Sequence, residues 1–524
     1  MTIDPKKIGQ MIVVRASGHL FDGQRNYPLW EAPNAQLKYW LQELNLGGII
    51  LLGGSAVEVN WRSRQLQAYA QTPLFIAADI EEGVGQRFAG ATWFPPPMAL
   101  SGIADQFEAI ALAEKMGAVT AQEALAMGIN WILGPVVDVN NNPDNPAINV
   151  RAFADTPDRV SELAAAFIKG AQQYPILTTA KHFPGHGDTA TDSHIELPVI
   201  PHPDERLQHI ELPPFEKAIA VGVDSVMSAH LMIPAWDKDQ PATISHHILT
   251  RQLRDRLGFS GLVVTDALIM GGIAQGNDPA EICVQAVEAG ADILLMPPDA
   301  EQAINAIYRA VEQGRIERDR ILASLQRIQQ AKQKLQSQTP TDPETLLTQI
   351  ATPTATATAY QITKSSLQMG GKLPITETGD RELINLIVVD NLLGCDFLSN
   401  SAPAVSIPGQ FGYKLQLIEQ RSLISVNPAE IGILQVFSRG NPFRGDARLS
   451  LEAQNWFKNL LRFATLGGLA IYGSPYILQW FRTHLPPNLP WVFAYGQMPL
   501  AQTLVHQALF PEVGQRQQQN KAFT

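Results

Sequence analysis

Cysteine is almost missing from this chain: its 524 residues include two, Cys283 and Cys395. So few, so far apart, exclude a disulfide framework and a four-cysteine zinc site; both read as buried thiols. Long apolar runs are missing too. No window holds 18 uninterrupted apolar residues, which leaves no candidate for a membrane-spanning helix. The apolar run at 11–14 is too short for the core of a secretory signal, so the expectation is a cytoplasmic protein with no membrane partner. Positive charge is in deficit, with 39 Lys and Arg against 50 Asp and Glu and a formal net charge of −11. A nucleic-acid backbone is therefore excluded as the expected partner. There is no Walker-type phosphate loop and no internal repeat, and the oligomeric state is not set by the sequence.

What is present is a globular composition, 45% hydrophobic and 17% charged, in a chain long enough for two or three units. Eight short apolar runs, at 10–15, 48–52, 74–79, 130–138, 177–183, 224–230, 262–266 and 292–296, alternate with helical patterns at 107–127, 161–172, 279–289, 301–313 and 316–335. Continuous apolar runs suit parallel strands buried on both faces. Several end in a polar residue: Asp79, Asp138, His182, His230 and Asp266. A barrel carries its chemistry at such carboxyl ends, although an open doubly wound sheet shows the same alternation. Residues 338–359 then hold eight threonines and three prolines and read as part linker, part strap. Further strands are expected at 383–389, 431–437, 468–472 and 491–495. The domains expected are a unit over 1–336, a linker or strap over 337–375 and a C-terminal α/β unit over 376–524.

The densest polar cluster runs from Lys181 to His194, KHFPGHGDTATDSH, with three histidines and two aspartates in its last thirteen residues. It follows an apolar strand and contains Gly and Pro, so it forms a shaped loop. Three readings compete. Asp192 and His194 can pair, the carboxylate orienting an imidazole that works as acid and base near neutral pH. His182, His186, Asp188 and His194 have the residue types of a zinc site. Or the histidines simply brace the loop.

The same stretch resembles the signature loop of the NagZ-type β-N-acetylglucosaminidases of glycoside hydrolase family 3, in their two-domain form. The resemblance implies an α/β fold with a TIM-type (β/α)8 barrel followed by a smaller α/β sandwich domain. It implies His194 as general acid/base with Asp192 as its partner. Asp266, in GFSGLVVTDALIM at 258–270, matches the family's nucleophile; taken alone it would read as a helix N-cap. Asp79 and Arg87, in DIEEGVGQRF, match sugar-binding positions, and Glu82 there replaces the first of a pair of glycines. Arg151 and the Lys181–His182 pair complete the implied sugar-binding set. His230 is a candidate for the pocket wall.

A retaining hydrolysis of terminal β-linked N-acetylglucosamine, as in muropeptides, is what these matches imply. It requires a carbohydrate substrate and no metal or organic cofactor. Two rivals keep the same residues. A phosphorylase is favoured by an imidazole in place of a carboxylate, because it repels a phosphate nucleophile less. A non-catalytic glycan-binding protein would need none of the three catalytic groups.

Overall fold

Strands buried on both faces need apolar side chains on both, and all eight expected runs contribute strands to the computed structural model, which describes residues 3–193, 195–274, 276, 278–335, 341–375, 383–421, 430–440, 447–463 and 466–510. They are β1 (Ile12–Ser17), β2 (Gly48–Leu52), β3 (Phe75–Ala78), β4 (Trp131–Ile132), β5 (Thr179–Phe183), β6 (Ser225–Ser228), β7 (Leu262–Val264) and β8 (Leu294–Leu295). Pairing is parallel throughout, but the regular ladders give two sheets, β4-β3-β2-β1-β8 and β5-β6-β7. Between them lie isolated parallel bridges, Trp131–Leu177 and Val136–Lys181 on one side and Val264–Ile293 on the other. The expected run at 130–138 is regular only over Trp131–Ile132. Pro135 has no N–H for the ladder, and pairing resumes where Val137 N–H donates to the Lys181 carbonyl at 2.8 Å.

The interior of this unit is closed by Trp131, which is fully buried. Its indole packs on Phe75, with ring centroids 5.2 Å apart. Its N–H donates to Thr179 Oγ1 at 2.9 Å and Ser225 Oγ at 3.2 Å, so a large apolar side chain is buried without an orphaned donor. Just before β8, buried Asp292 accepts from Val263 N–H, Ser324 Oγ and Arg327 Nη1 at 3.0, 2.6 and 3.0 Å and also pairs with Arg254. These contacts tie the helix Arg318–Lys334 to the sheet.

The threonine-rich stretch proves largely helical, over Pro343–Gln349 and Pro353–Ser365. Asp342 and Thr352 cap these helices, and Pro stands in the first turn of each, where its missing N–H costs nothing. Composition pointed to a linker, but the caps are helix-start signals. The stretch is pinned to the first unit by Asn60 Nδ2, which donates to the Thr341 carbonyl at 2.9 Å, and by Glu123, which accepts from Ala351 N–H at 2.8 Å.

The C-terminal unit is a six-stranded sheet. Its strands are β9 (Gln368–Gly370), β10 (Ile384–Val389), β11 (Lys414–Glu419), β12 (Ile431–Ser438), β13 (Gly468–Gly473) and β14 (Trp491–Ala494). Their order is β11-β10-β12-β13-β14-β9, with only β9 antiparallel. All four expected strands are present. The two that were not foreseen are the edges: β9 is three residues long, and β11 is mostly exposed and alternates polar with apolar residues.

One buried cation carries a stability prediction. Lys332 is 7% exposed, donates to Gln10 Oε1 at 2.7 Å and lies 4.9 Å from the Phe75 ring centroid. Burial pushes its ammonium down to about 7. Between there and the ordinary lysine range the unfolded chain binds the extra proton, so stability rises with pH across that window. Lys332→Met is expected to stabilise the protein near pH 7 by on the order of 1–3 kcal/mol, with the advantage shrinking toward pH 10. Urea unfolding of both proteins at the two pH values checks this.

Candidate active site

The carboxyl ends of β3 and β5 bring together charges that are distant in sequence. Lys181, on β5, is 2% exposed, and its Nζ lies 2.9 Å from Asp79 Oδ1 and 2.6 Å from Glu81 Oε1. Arg151 grips the same Glu81 carboxylate with two hydrogen bonds of 2.8 Å. Burial opposes the charge on Glu81, but Arg151 and Lys181 outweigh it and hold the carboxyl well below the usual range. Burial likewise opposes the Lys181 ammonium, and Asp79 and Glu81 together raise its pKa above the ordinary lysine value. Two anions and two cations thus form a balanced floor, with each charge oriented by its partners. Arg87 stands at the exposed rim and donates from Nε to the Asp79 carbonyl at 2.9 Å.

The histidine loop is organised by Asp138. This buried carboxylate accepts from His182 N–H at 3.1 Å and His186 N–H at 2.7 Å, and it lies 2.8 Å from His182 Nδ1. His186 is enclosed by Ser193 Oγ and Thr189 Oγ1, each 2.9 Å from a ring nitrogen. Burial pushes its imidazole down to about 4, although Asp138 pulls the other way, so His186 is neutral at pH 7 and serves as a brace. Asn145 Nδ2 donates to the carbonyls of His186 and Gly187 at 2.7 and 2.9 Å. A Cβ on Gly187 would fall 1.8 Å from the Val139 carbonyl oxygen, so the backbones there approach in a way only glycine permits.

This loop returns to the segment that follows β7. Gly272 N–H donates to the Ser193 carbonyl at 3.0 Å. Asp266 N–H donates to the Ser228 carbonyl at 3.2 Å, and Asp266 Oδ1 accepts from Ala267 N–H at 2.7 Å. The next helix begins only at Gly271, so Asp266 is not its N-cap. Asp192 is buried, and its carbonyl accepts from the N–H groups of Ile195 and Glu196, each at 3.0 Å. His194 lies outside the described residues.

A cleft of about 750 Å³ joins these groups: Asp79, Arg87, Arg151, Lys181, His182 and Asp266 all line it, with Ser193 beside them. The zinc grouping is not assembled by the described side chains. Asp188 pairs with Arg206 at 2.6 Å and His202 at 2.7 Å, and both His186 nitrogens are engaged by hydroxyls. His230 is a correction to the pocket-wall reading. It is fully buried behind the segment that follows β7, with Nδ1 2.7 Å from Thr243 Oγ1 and Nε2 3.1 Å from the Ala267 carbonyl. Glu81 was overlooked in the sequence, although it sits two residues beyond Asp79 after an apolar strand. Asp138 was visible only as a polar strand end.

The second unit also reaches this cleft, with Asp390, Phe397, Arg439 and Gln497 among its lining residues. Glu82 explains how the contact is held. It is 1% exposed, accepts from Trp93 Nε1 at 3.0 Å and from Arg439 Nη2 at 2.8 Å. Arg439 N–H in turn donates to Asp390 Oδ2 at 2.9 Å. Glu82 thereby carries a clasp between the two units.

Residues 2–331 match the family described as the glycosyl hydrolase family 3 N-terminal domain, and residues 376–511 match the bacterial glycosyl hydrolase family 3 C-terminal domain. The chain is 35% identical to beta-hexosaminidase A of Pseudoalteromonas piscicida over 297 residues, spanning 52% of this chain and only half the length of that relative. It is 33% identical to a beta-hexosaminidase of Stenotrophomonas maltophilia, over 52% of this chain and 83% of that protein. The structure of a glycoside hydrolase family 3 beta-N-acetylglucosaminidase from Paenibacillus superposes with a TM-score of 0.80 at 28% identity, covering 98% of this chain and 97% of the other.

The clasp yields a prediction. Removing the cation leaves Glu82 buried without its charge partner, so Arg439→Gln is expected to cost ~3 kcal/mol of stability. Adding Glu82→Gln is expected to restore part of that loss. A denaturant double-mutant cycle measures the coupling, and strictly additive losses would show that the pair does not hold the units together.

Proposed function

The chain belongs to glycosyl hydrolase family 3, and from that membership we propose that it is a retaining exo-β-N-acetylglucosaminidase acting on terminal β-linked N-acetylglucosamine. The observation that carries this reading is the meeting, in one cleft, of Asp266 with the balanced floor of Asp79, Glu81, Arg151 and Lys181. Sugar hydroxyls both donate and accept, and a floor of fixed donors and acceptors suits them. The relatives named as beta-hexosaminidases and as a beta-N-acetylglucosaminidase support the choice of sugar.

In the first step an Asp266 oxygen attacks the anomeric carbon. The bond to the leaving oxygen breaks as the His194 imidazolium gives that oxygen its proton. In the second step water passes a proton to His194 and attacks the same carbon, releasing the Asp266 carboxylate. Two inversions retain configuration. Asp192 orients the imidazole and stabilises its charged form. Asp79, Arg87, Arg151, Lys181 and His182 hold the sugar. Muropeptide fragments as natural substrates, and cytoplasmic recycling as the setting, extend the resemblance of the 181–194 loop. The eight strands are read as one TIM-type barrel, supported by the isolated bridges that connect its two sheets. The division into 1–336, 337–375 and 376–524 is supported by the two matched segments, which fall within its first and last parts.

Wild type is expected to release nitrophenol from para-nitrophenyl β-N-acetylglucosaminide at a rate independent of phosphate. Asp266→Ala is expected to lose at least about a thousandfold in kcat. A requirement for phosphate would make the enzyme a phosphorylase, and no turnover by wild type would favour a binding protein.

A further inference from the structure

The loop after β1 carries an unusual amount of exposed aromatic surface at the mouth of the cleft. Tyr27 and Trp30 are 46% and 38% exposed, and both line the cleft that holds Asp266. Their rings stack, with centroids 5.6 Å apart and planes 15° from parallel. Arg15 supports them, its guanidinium carbon 4.8 Å from the Tyr27 centroid and 5.8 Å from that of Trp30. Arg15 is in turn placed by Glu31, a fully buried carboxylate 3.7 Å away that also accepts from Tyr27 N–H at 3.2 Å. Arg25 closes the turn by donating from Nη1 to the Glu31 carbonyl at 2.7 Å. A buried carboxylate and a mostly buried guanidinium thus hold two aromatic side chains at a half-open position. Packing alone gives no reason for this, because aromatic surface left in water forgoes its burial energy.

We propose that Tyr27 and Trp30 form a platform for the leaving group, and that this group is a pyranose ring. The inference rests on the glycosidase reading of the same cleft. An aromatic face carries negative charge density, and the axial C–H bonds of a β-linked pyranose present a weakly positive face of matching size. The rim group Arg87 supplies donors for the hydroxyls at the edge of such a ring. The platform stabilises departure of a sugar and is indifferent to a leaving group too small to reach it.

The test compares kcat/KM for N,N′-diacetylchitobiose, whose leaving group is a pyranose, with that for β-N-acetylglucosaminyl fluoride. Trp30→Ala and Tyr27→Ala are expected to lose about tenfold on the disaccharide and to stay within about twofold on the fluoride. Trp30→Phe is expected to retain most of the disaccharide activity. Equal losses on both substrates would overturn the proposal by reducing the rings to a structural role. So would a larger loss on octyl β-N-acetylglucosaminide than on the disaccharide, which would make the occupant an apolar chain. A wild type that cleaves none of the three would overturn the glycosidase reading and the platform with it.

Discussion

Two carboxylates and two cations at the ends of β3 and β5, all but Asp79 largely sheltered from water, hold one another in place, and the rest of the site is arranged around them. Glu81, Arg151 and Lys181 would each be costly to bury alone. Together Asp79, Glu81, Arg151 and Lys181 pay for their own desolvation through short hydrogen bonds. What results is a floor with little freedom to reorganise, facing the cleft beside Asp266. Such preorganisation is the main way a protein stabilises charge that develops during a reaction.

The loop above that floor depends on a second buried carboxylate. Asp138 binds the N–H groups of both His182 and His186, which bends the chain so that Ser193 meets Gly272. The glycines of the loop make this fold possible, since Gly187 lies against the backbone at Val139. The histidines of one short motif therefore have different work, although both border the cleft: His182 is held through Nδ1 by Asp138, while His186 is neutral and clamped between the Thr189 and Ser193 hydroxyls.

The C-terminal sheet is joined to this arrangement through the Glu82–Arg439 contact and through Tyr476, whose hydroxyl donates to the Asn140 carbonyl at 3.0 Å. Both contacts lie close to the floor and the loop. A unit with no catalytic motif of its own thereby becomes a wall of the cleft.

Much of this was legible in the sequence because it rests on local patterns. Apolar runs, several with polar ends, marked all eight strands of the first unit and the central strands of the second, since burial on both faces leaves an uninterrupted run. The motif at 181–194 and the segment ending in Asp266 marked the candidate site by residue type and spacing. The edge strand at Lys414–Glu419 escaped because it is exposed and lacks such a run, and the helices after Asp342 were hidden by their threonine and proline content. What only the tertiary structure decided was the pairing of charges. That Glu81 serves Arg151 and Lys181, that Asp138 organises two histidines, and that Glu82 finds Arg439 are contacts between residues 44 to 357 positions apart. No local rule encodes such a contact, because its energy exists only once folding has removed the water between the partners.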